Sequence, residues 1–328
     1  MRIVRAVAAA ALAAIVIVVA FFAYAAFLDR SRPEQPTTVV ISSGSSFDAA
    51  LATLRRSGVI AHALPLHVLA RLRGDERRVR AGEYRFAPHE TEAQVLHALV
   101  TQGAAVARWV TVPEGFTMAQ IAQRLEQSGI GSAQTFESSF RKTPFVLDGT
   151  RMKNLEGVLF PDTYLLPVGA SPRQVESEFE RSFASALPAD ARARARALHL
   201  SVAQVVVVAS LVEREAKIGR DRAMIAGVIY NRLRLNMPLQ IDASIEYALP
   251  RHATALTRSD LAIASPYNTY LHTGLPPTPI ANPGRASLEA AFDPAATNAL
   301  YYVYCGRGGH VFAQTLVQHE ANVARCLK

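Results

Sequence analysis

Apolar positions along this chain switch repeatedly between period 2 and period 3.6, the spacings that separate strands from helices. "TTVVI" (37–41) predicts a strand. In "SSFDAALATLRRSGVI", Phe47, Leu51, Leu54 and Val59 mark one helical face, and Ser46 stands where an N-cap belongs. "LPLHVLARLRG" predicts a second helix, "AGEYRF" a strand, and "TEAQVLHALVTQG" a helix ended by Gly103. "VARWVTVPEGFT" predicts a strand with a turn, and "MAQIAQRLEQSG" another helix. Such alternation of short elements predicts an α+β fold, with one or two small modules over residues 38–150. "GVLFPDTYLLP" (157–167), apolar and bounded by prolines, leads into a second, mixed α+β domain over 151–328.

The pattern changes at Ser201. "SVAQVVVVASLVEREAK" predicts a helix of about four turns capped by Ser201, and "RAMIAGVIYNRLRLNM" a second one. "SPYNTYLHTGLPPTPIANPG" carries five prolines and predicts a long ordered loop or a lid. A helix ("SLEAAFDP"), a strand ("ALYYVYC"), a turn into a strand ("GRGGHVF") and a last helix ("TLVQHEANVARCL") follow.

The N-terminus has no period at all. Residues 6–28 are 23 uncharged, largely apolar residues, enough to span a bilayer. Arg2 and Arg5 precede them and favour a cytoplasmic N-terminus over residues 1–5. The alternative is a cleaved signal peptide, because Ala23-Tyr24-Ala25 fits an A-x-A site. Either way residues 29–37 form a linker, and the rest lies outside the cytoplasm. That compartment permits a disulfide between Cys305 and Cys326, although two free thiols remain the other option.

Charge and chemistry narrow the function. The net charge of +8 favours anionic partners. No arginine run is interleaved with aromatics and one tryptophan is present, so nucleic acid is set aside. The nine histidines show no H-E-x-x-H and no metal spacing, which predicts neither metal nor cofactor. "SFRK" (139–142) matches S-x-x-K, but its S-D-N and K-T-G partners are missing, so it is a chance match.

"VVVVASLVEREAKIG" (205–219) is the richest stretch. Three, four and seven residues before Glu215 stand Val212, Leu211 and Val208, so Glu215 ends an apolar stripe. Glu213 instead follows Ser210, Ala209 and Val206, with Lys217 four residues ahead, which predicts a surface pair. A carboxyl held where water is scarce keeps its proton to higher pH, as a general acid near neutrality must. The rival reading is that the stripe simply ends, with Glu215 pairing with Arg220 or Arg222.

"ASLVEREA", "YNRLRLNMPLQIDASIEYAL", "SPYNTYLHTGLPPTPIANPGRASLEAAFDP" and "GRGGHVFAQTLVQH" closely resemble the membrane-anchored YceG-like endolytic murein transglycosylases, the MltG type. The likeness runs from about residue 37 to the end and is densest over 201–319. It implies an enzyme facing the periplasm that cuts nascent peptidoglycan glycan strands between N-acetylmuramic acid and N-acetylglucosamine, leaving a 1,6-anhydro end. It also implies a LysM-like module before the catalytic domain and a link to penicillin-binding synthases. The second glutamate of the family's E-x-E pair falls on Glu215. "LQIDAS" departs from some relatives, with Ala243 in place of proline.

Ordinary glycosidases use two carboxylates. A lytic transglycosylase needs one, because the sugar's own C6 hydroxyl captures the cation at C1 with high effective molarity. Around Glu215, Tyr267, Asn268 and Tyr270 are candidates to hold sugar hydroxyls and ring faces, or else to scaffold the proline-rich loop. Asp242 is the candidate supporting carboxylate, with a helix cap as its rival role; Asn231 and Gln240 are candidate polar lining. His310 in "GGHVF" is the most suggestive histidine, although a lone histidine after a glycine turn is more often structural. Two rivals stand beside this reading: a non-catalytic peptidoglycan-binding regulator of synthases, and a hydrolase activating water with Asp242 or Asp260.

Overall fold

The computed structural model describes residues 12–21, 35–42, 44–101, 107–249 and 256–326. Of the predicted 6–28 span, the described part is one apolar helix, α1 (Leu12–Phe21), and no single described helix is long and apolar enough to cross a membrane. Residues 6–11 and 22–28, with Gly103, lie outside the described residues.

The chain forms two compact units. The first holds residues up to Arg108, with Gly129–Gly131 and Leu166–Ser171. The sequence expectation divided the chain at residue 150; the contacts divide it earlier, because the segment from Trp109 belongs with the later residues. In the first unit β1 (Thr37–Ile41) pairs antiparallel with β2 (Gly82–Phe86), in register Val39 to Tyr84. Between them lie α2 (Phe47–Arg56) and α3 (Ala63–Arg73), and α4 (Glu92–Thr101) follows. Ser46 caps α2 by accepting from Ala49 N, as predicted. Leu51, Leu54, Leu66, Leu96 and Leu99 bury one face of each helix over Val39, Tyr84 and Phe86.

The second unit is built around α9 (Val202–Glu215). Before it come β3 (Ala107–Thr111), α5 (Met118–Gln127), α6 (Ala133–Lys142), the antiparallel hairpin β4 (Phe145–Leu147) and β5 (Thr150–Met152), β6 (Thr163–Pro167), α7 (Pro172–Ala186) and α8 (Ala191–Ala197). β3 pairs with β6. Ser201 and Gln204 form a capping box on α9, so its first turn is satisfied by its own sequence. From Val202 to Val212 only Gln204 escapes burial, as expected of a helix apolar on every side. α10 (Arg222–Arg234), α11 (Asp242–Ala248) and α12 (Arg285–Phe292) pack on it.

The last elements are the antiparallel hairpin β7 (Tyr301–Tyr304) and β8 (His310–Ala313), then α13 (Leu316–Cys326). Cys305 and Cys326 are bridged, with Cα atoms 4.7 Å apart, which settles the open question of the two thiols. The bridge ties the end of β7 to the end of α13.

Candidate active site

α9 ends at Glu215: the next residue, Ala216, has extended backbone (φ −68°, ψ 116°). A fourteen-residue helix with ten residues buried thus delivers one carboxyl to the wall of a cleft of about 840 Å³. Glu114, Glu213, Asp242, Tyr270 and Tyr302 also line it. Glu215 is half-buried, and Tyr302 Oη donates to its Oε2 at 3.0 Å. Burial is the main cause that pushes its carboxyl up to about 7; the negative charges of Asp242 and Glu246 add to this, while the Tyr302 bond and Lys217 oppose it. Near neutral pH the group is therefore divided between acid and carboxylate, the state a proton shuttle requires.

The remaining predicted site residues divide by position. Asp242, the first residue of α11, is exposed in the cleft and accepts from Tyr270 Oη. Burial and the Asp242 bond both raise the Tyr270 phenol, so it stays a donor. Gln240, exposed and in the left-handed region (φ 54°), accepts from Arg232 Nη1 at 3.3 Å. His310 also lines the cleft, yet its side chain is only 3% exposed and its Nδ1 lies 2.8 Å from Asp221 Oδ2. Asn231, Tyr267 and Asn268 are not on this wall. Asn231 Nδ2 donates to Thr297 O and Ala299 O, joining α10 to the approach of β7. Tyr267 Oη bonds Thr278 Oγ1, and its ring packs on Tyr247. Asn268 is fully buried: it donates to Leu261 O and Ile263 O and accepts from Tyr270 N and Leu271 N. The proline-rich segment is thus an ordered wall knotted at Asn268, which presents Tyr270. Asp260 is buried, accepting from Thr257 N and Oγ1 away from the cleft.

Glu213 corrects the sequence reading. It forms no surface pair with Lys217; its side chain is 7% exposed, accepts from Gly284 N at 2.9 Å and faces Arg222 Nη2 at 3.6 Å. The chain entering α12 covers a helix face that α9 alone would leave to solvent. Beside it Glu114, from "VPEG", is raised by burial and then by Glu213, with Arg222 opposing. A Cβ on Gly284 would lie 1.8 Å from Glu114 Oε1, although φ there is an ordinary −76°. Glycine stands there for space, not for backbone freedom.

Two further residues had no signal in the sequence. Arg232 is buried; it donates through Nε to Leu300 O, and through Nη1 to Pro238 O and Leu239 O, with its guanidinium 5.1 Å from the Tyr301 ring. It clamps β7 to the loop before α11, and so spaces Tyr302 from Asp242. Tyr302 itself sat unremarked among the tyrosines of "ALYYVYC". Among the described residues no three His, Cys, Asp or Glu side chains gather as metal ligands.

A family model described as the YceG-like family matches residues 39–325. The endolytic murein transglycosylase of Bacillus subtilis (strain 168) is 32% identical over 314 residues, 90% of this chain and 86% of the relative. That of Streptococcus pneumoniae serotype 2 is 28% identical over 340 residues, 92% of this chain; the chain spans 61% of that relative's length. A solved structure of a yceG-like protein from Listeria monocytogenes superposes with a TM-score of 0.58 at 30% identity, covering 88% of this chain and 99% of the other.

Proposed function

The chain belongs to the YceG-like family, and we propose on that premise that it is a murein transglycosylase whose chemistry is carried by Glu215. The observation that carries this is one carboxyl at the end of a buried helix, held by Tyr302 in a polar cleft and raised to about 7. Its finer action is endolytic cleavage of nascent glycan strands between N-acetylmuramic acid and N-acetylglucosamine, which ends strand elongation.

Protonated Glu215 gives its proton to the glycosidic oxygen, and the C1–O bond breaks with the electron pair leaving on that oxygen. The oxocarbenium-like ion at C1 is captured by the C6 hydroxyl of the same sugar. The Glu215 carboxylate takes the hydroxyl proton as the O6–C1 bond forms, and the acid is restored. No water enters, and one residue acts as both acid and base. Asp242 places negative charge beside the cation, and Tyr270, whose hydroxyl donates to Asp242, offers an aromatic face to the sugar. The apolar run at 6–28 anchors the catalytic unit to the inner membrane. The first unit suits the LysM-like module that the resemblance implies, and penicillin-binding synthases supply the strands.

Asp242 favours a second reading, hydrolysis, since it is an exposed carboxylate in the same cleft as Glu215. End-group analysis of products from uncrosslinked glycan strands separates the two. Transglycosylation gives 1,6-anhydro-muramoyl ends; a majority of reducing ends would show that Asp242 activates water.

A further inference from the structure

Glu215 depends on Tyr302 for its orientation, and Tyr302 sits on a short, two-stranded hairpin. What holds that hairpin against the end of α9 reaches from His310, on the cleft wall, back to Asp221 and Arg220 behind it. The 3-10 turn Gly219–Asp221, just after α9, grips the turn between β7 and β8. Asp221 is buried, and its Oδ2 takes two bonds from one residue: His310 N at 2.7 Å and His310 Nδ1 at 2.8 Å. Arg220 Nη2 donates to Gly308 O at 2.8 Å. Gly309, with φ at 82°, lets the turn come this close: a Cβ there would lie 2.7 Å from Asp221 Oδ2 and 2.3 Å from Ile218 Cδ1. His310, so fixed, stands edge-on to the Tyr302 ring, centroids 5.7 Å apart and planes at 83°, and also packs on Tyr304 at 5.3 Å.

We propose that Asp221 and His310 are positioning residues for the transglycosylase reaction, a buried pair that locks the Tyr302 ring so that its hydroxyl stays on Glu215. His310, 3% exposed, serves through Tyr302 and not by touching sugar. The inference rests on Glu215 being the acid.

The sign of the effect tests it. Tyr302 bonds the charged form of Glu215, so losing that bond raises the pH at which the carboxyl ionises. Removing the Asp221 charge by field alone acts the other way, because a lost negative charge makes ionisation easier. The other charged and titratable groups around Glu215 are Asp242 and Glu246 on α11, Lys217 beyond α9, Tyr270 on the proline-rich wall, Arg232 on α10, Glu213 and Arg214 on α9, and Glu114. None of these is changed by substitution at Asp221 or His310.

The full chain is assayed on uncrosslinked glycan strands across pH, with melting temperature as the check on folding. Tyr302→Phe moves the alkaline limb of kcat upward by about half a pH unit or more. Asp221→Asn and His310→Ala each move it the same way, with kcat reduced about tenfold and KM unchanged. Neither moves it further in the Tyr302→Phe background, as expected of residues acting through one contact. A limb that stays put or moves down, an equal further shift in that background, or a raised KM at unchanged kcat would each overturn the inference. If Asp221→Asn does not fold, His310→Ala alone decides. An active Glu215→Gln protein would overturn the assignment of the acid and the inference with it. An inactive Glu215→Gln protein, together with an unmoved limb in Asp221→Asn and His310→Ala, overturns the inference alone.

Discussion

Glu215 and Glu213 stand two residues apart, and the structure gives them different work. Glu215→Gln keeps the shape and can still accept from Tyr302, but it cannot give and retrieve a proton. Cleavage should fall at least roughly a hundredfold with little change in melting temperature. In the unmodified protein, activity should fall as pH rises through about 7, since Glu215 loses the proton it must donate. Glu213 holds Gly284 N. Glu213→Gln keeps an acceptor there and should be mild, whereas Glu213→Ala strands a buried N–H and should cost about 1–3 kcal/mol of stability. Thermal melts of the two variants check this; equal melting temperatures would show that the bond contributes nothing. Spacing on α9 placed Glu215 at the end of an apolar stripe, because Val208, Leu211 and Val212 share its face, and left open whether the stripe simply ends there. It misplaced Glu213, because what covers that residue arrives from about seventy positions later in the chain, and helical periodicity carries no information about such a neighbour.

Elements were legible where their own sequence satisfies them. Ser46, Thr117 and Ser201 cap helices with side chains a few residues from the bonds they make, and the valines of α9 announce a buried helix. The proline-rich segment was legible only as a loop. Its conformation depends on one buried amide, Asn268, whose four backbone partners span Leu261 to Leu271. The sequence reading offered Asn268 as a sugar contact, and the two roles predict different losses. As a knot, Asn268→Ala should lower stability by about 2 kcal/mol or more and expose the segment to proteolysis. A fall in kcat should accompany this, as Tyr270 loses its placement. A variant with normal melting and protease resistance but a raised KM would return Asn268 to the substrate.

At the scale of the whole catalytic unit, the group with most leverage is one the proposed chemistry does not use. Glu156 is 1% exposed and joins three distant segments: it accepts from Met118 N at the start of α5, from Asn282 Nδ2 in the proline-rich wall, and from Tyr247 Oη on α11. Nothing in "NLEGVLF" marks it, since a buried carboxyl is defined by partners that folding brings from elsewhere. Burial pushes it up to about 8 against an ordinary 4.5, and the three hydrogen bonds only partly offset this. The folded protein therefore holds a proton on Glu156 that the unfolded chain releases. Between about pH 4.5 and 8 the native state binds more protons than the unfolded one, so this group's contribution to stability declines as pH rises. Glu215, raised to about 7, adds a slope of the same sign over a shorter pH range. Self-repulsion from a net charge of +8 grows at acid pH and works against both, so the melting temperature of one protein does not isolate the effect. The difference between unmodified protein and Glu156→Gln does, because the amide keeps the acceptor and cannot ionise. That difference should favour the unmodified protein most near pH 5 and narrow steadily toward pH 8. A difference that stays constant across the range would mean that Glu156 is ionised in the fold, and that its three partners outweigh its burial.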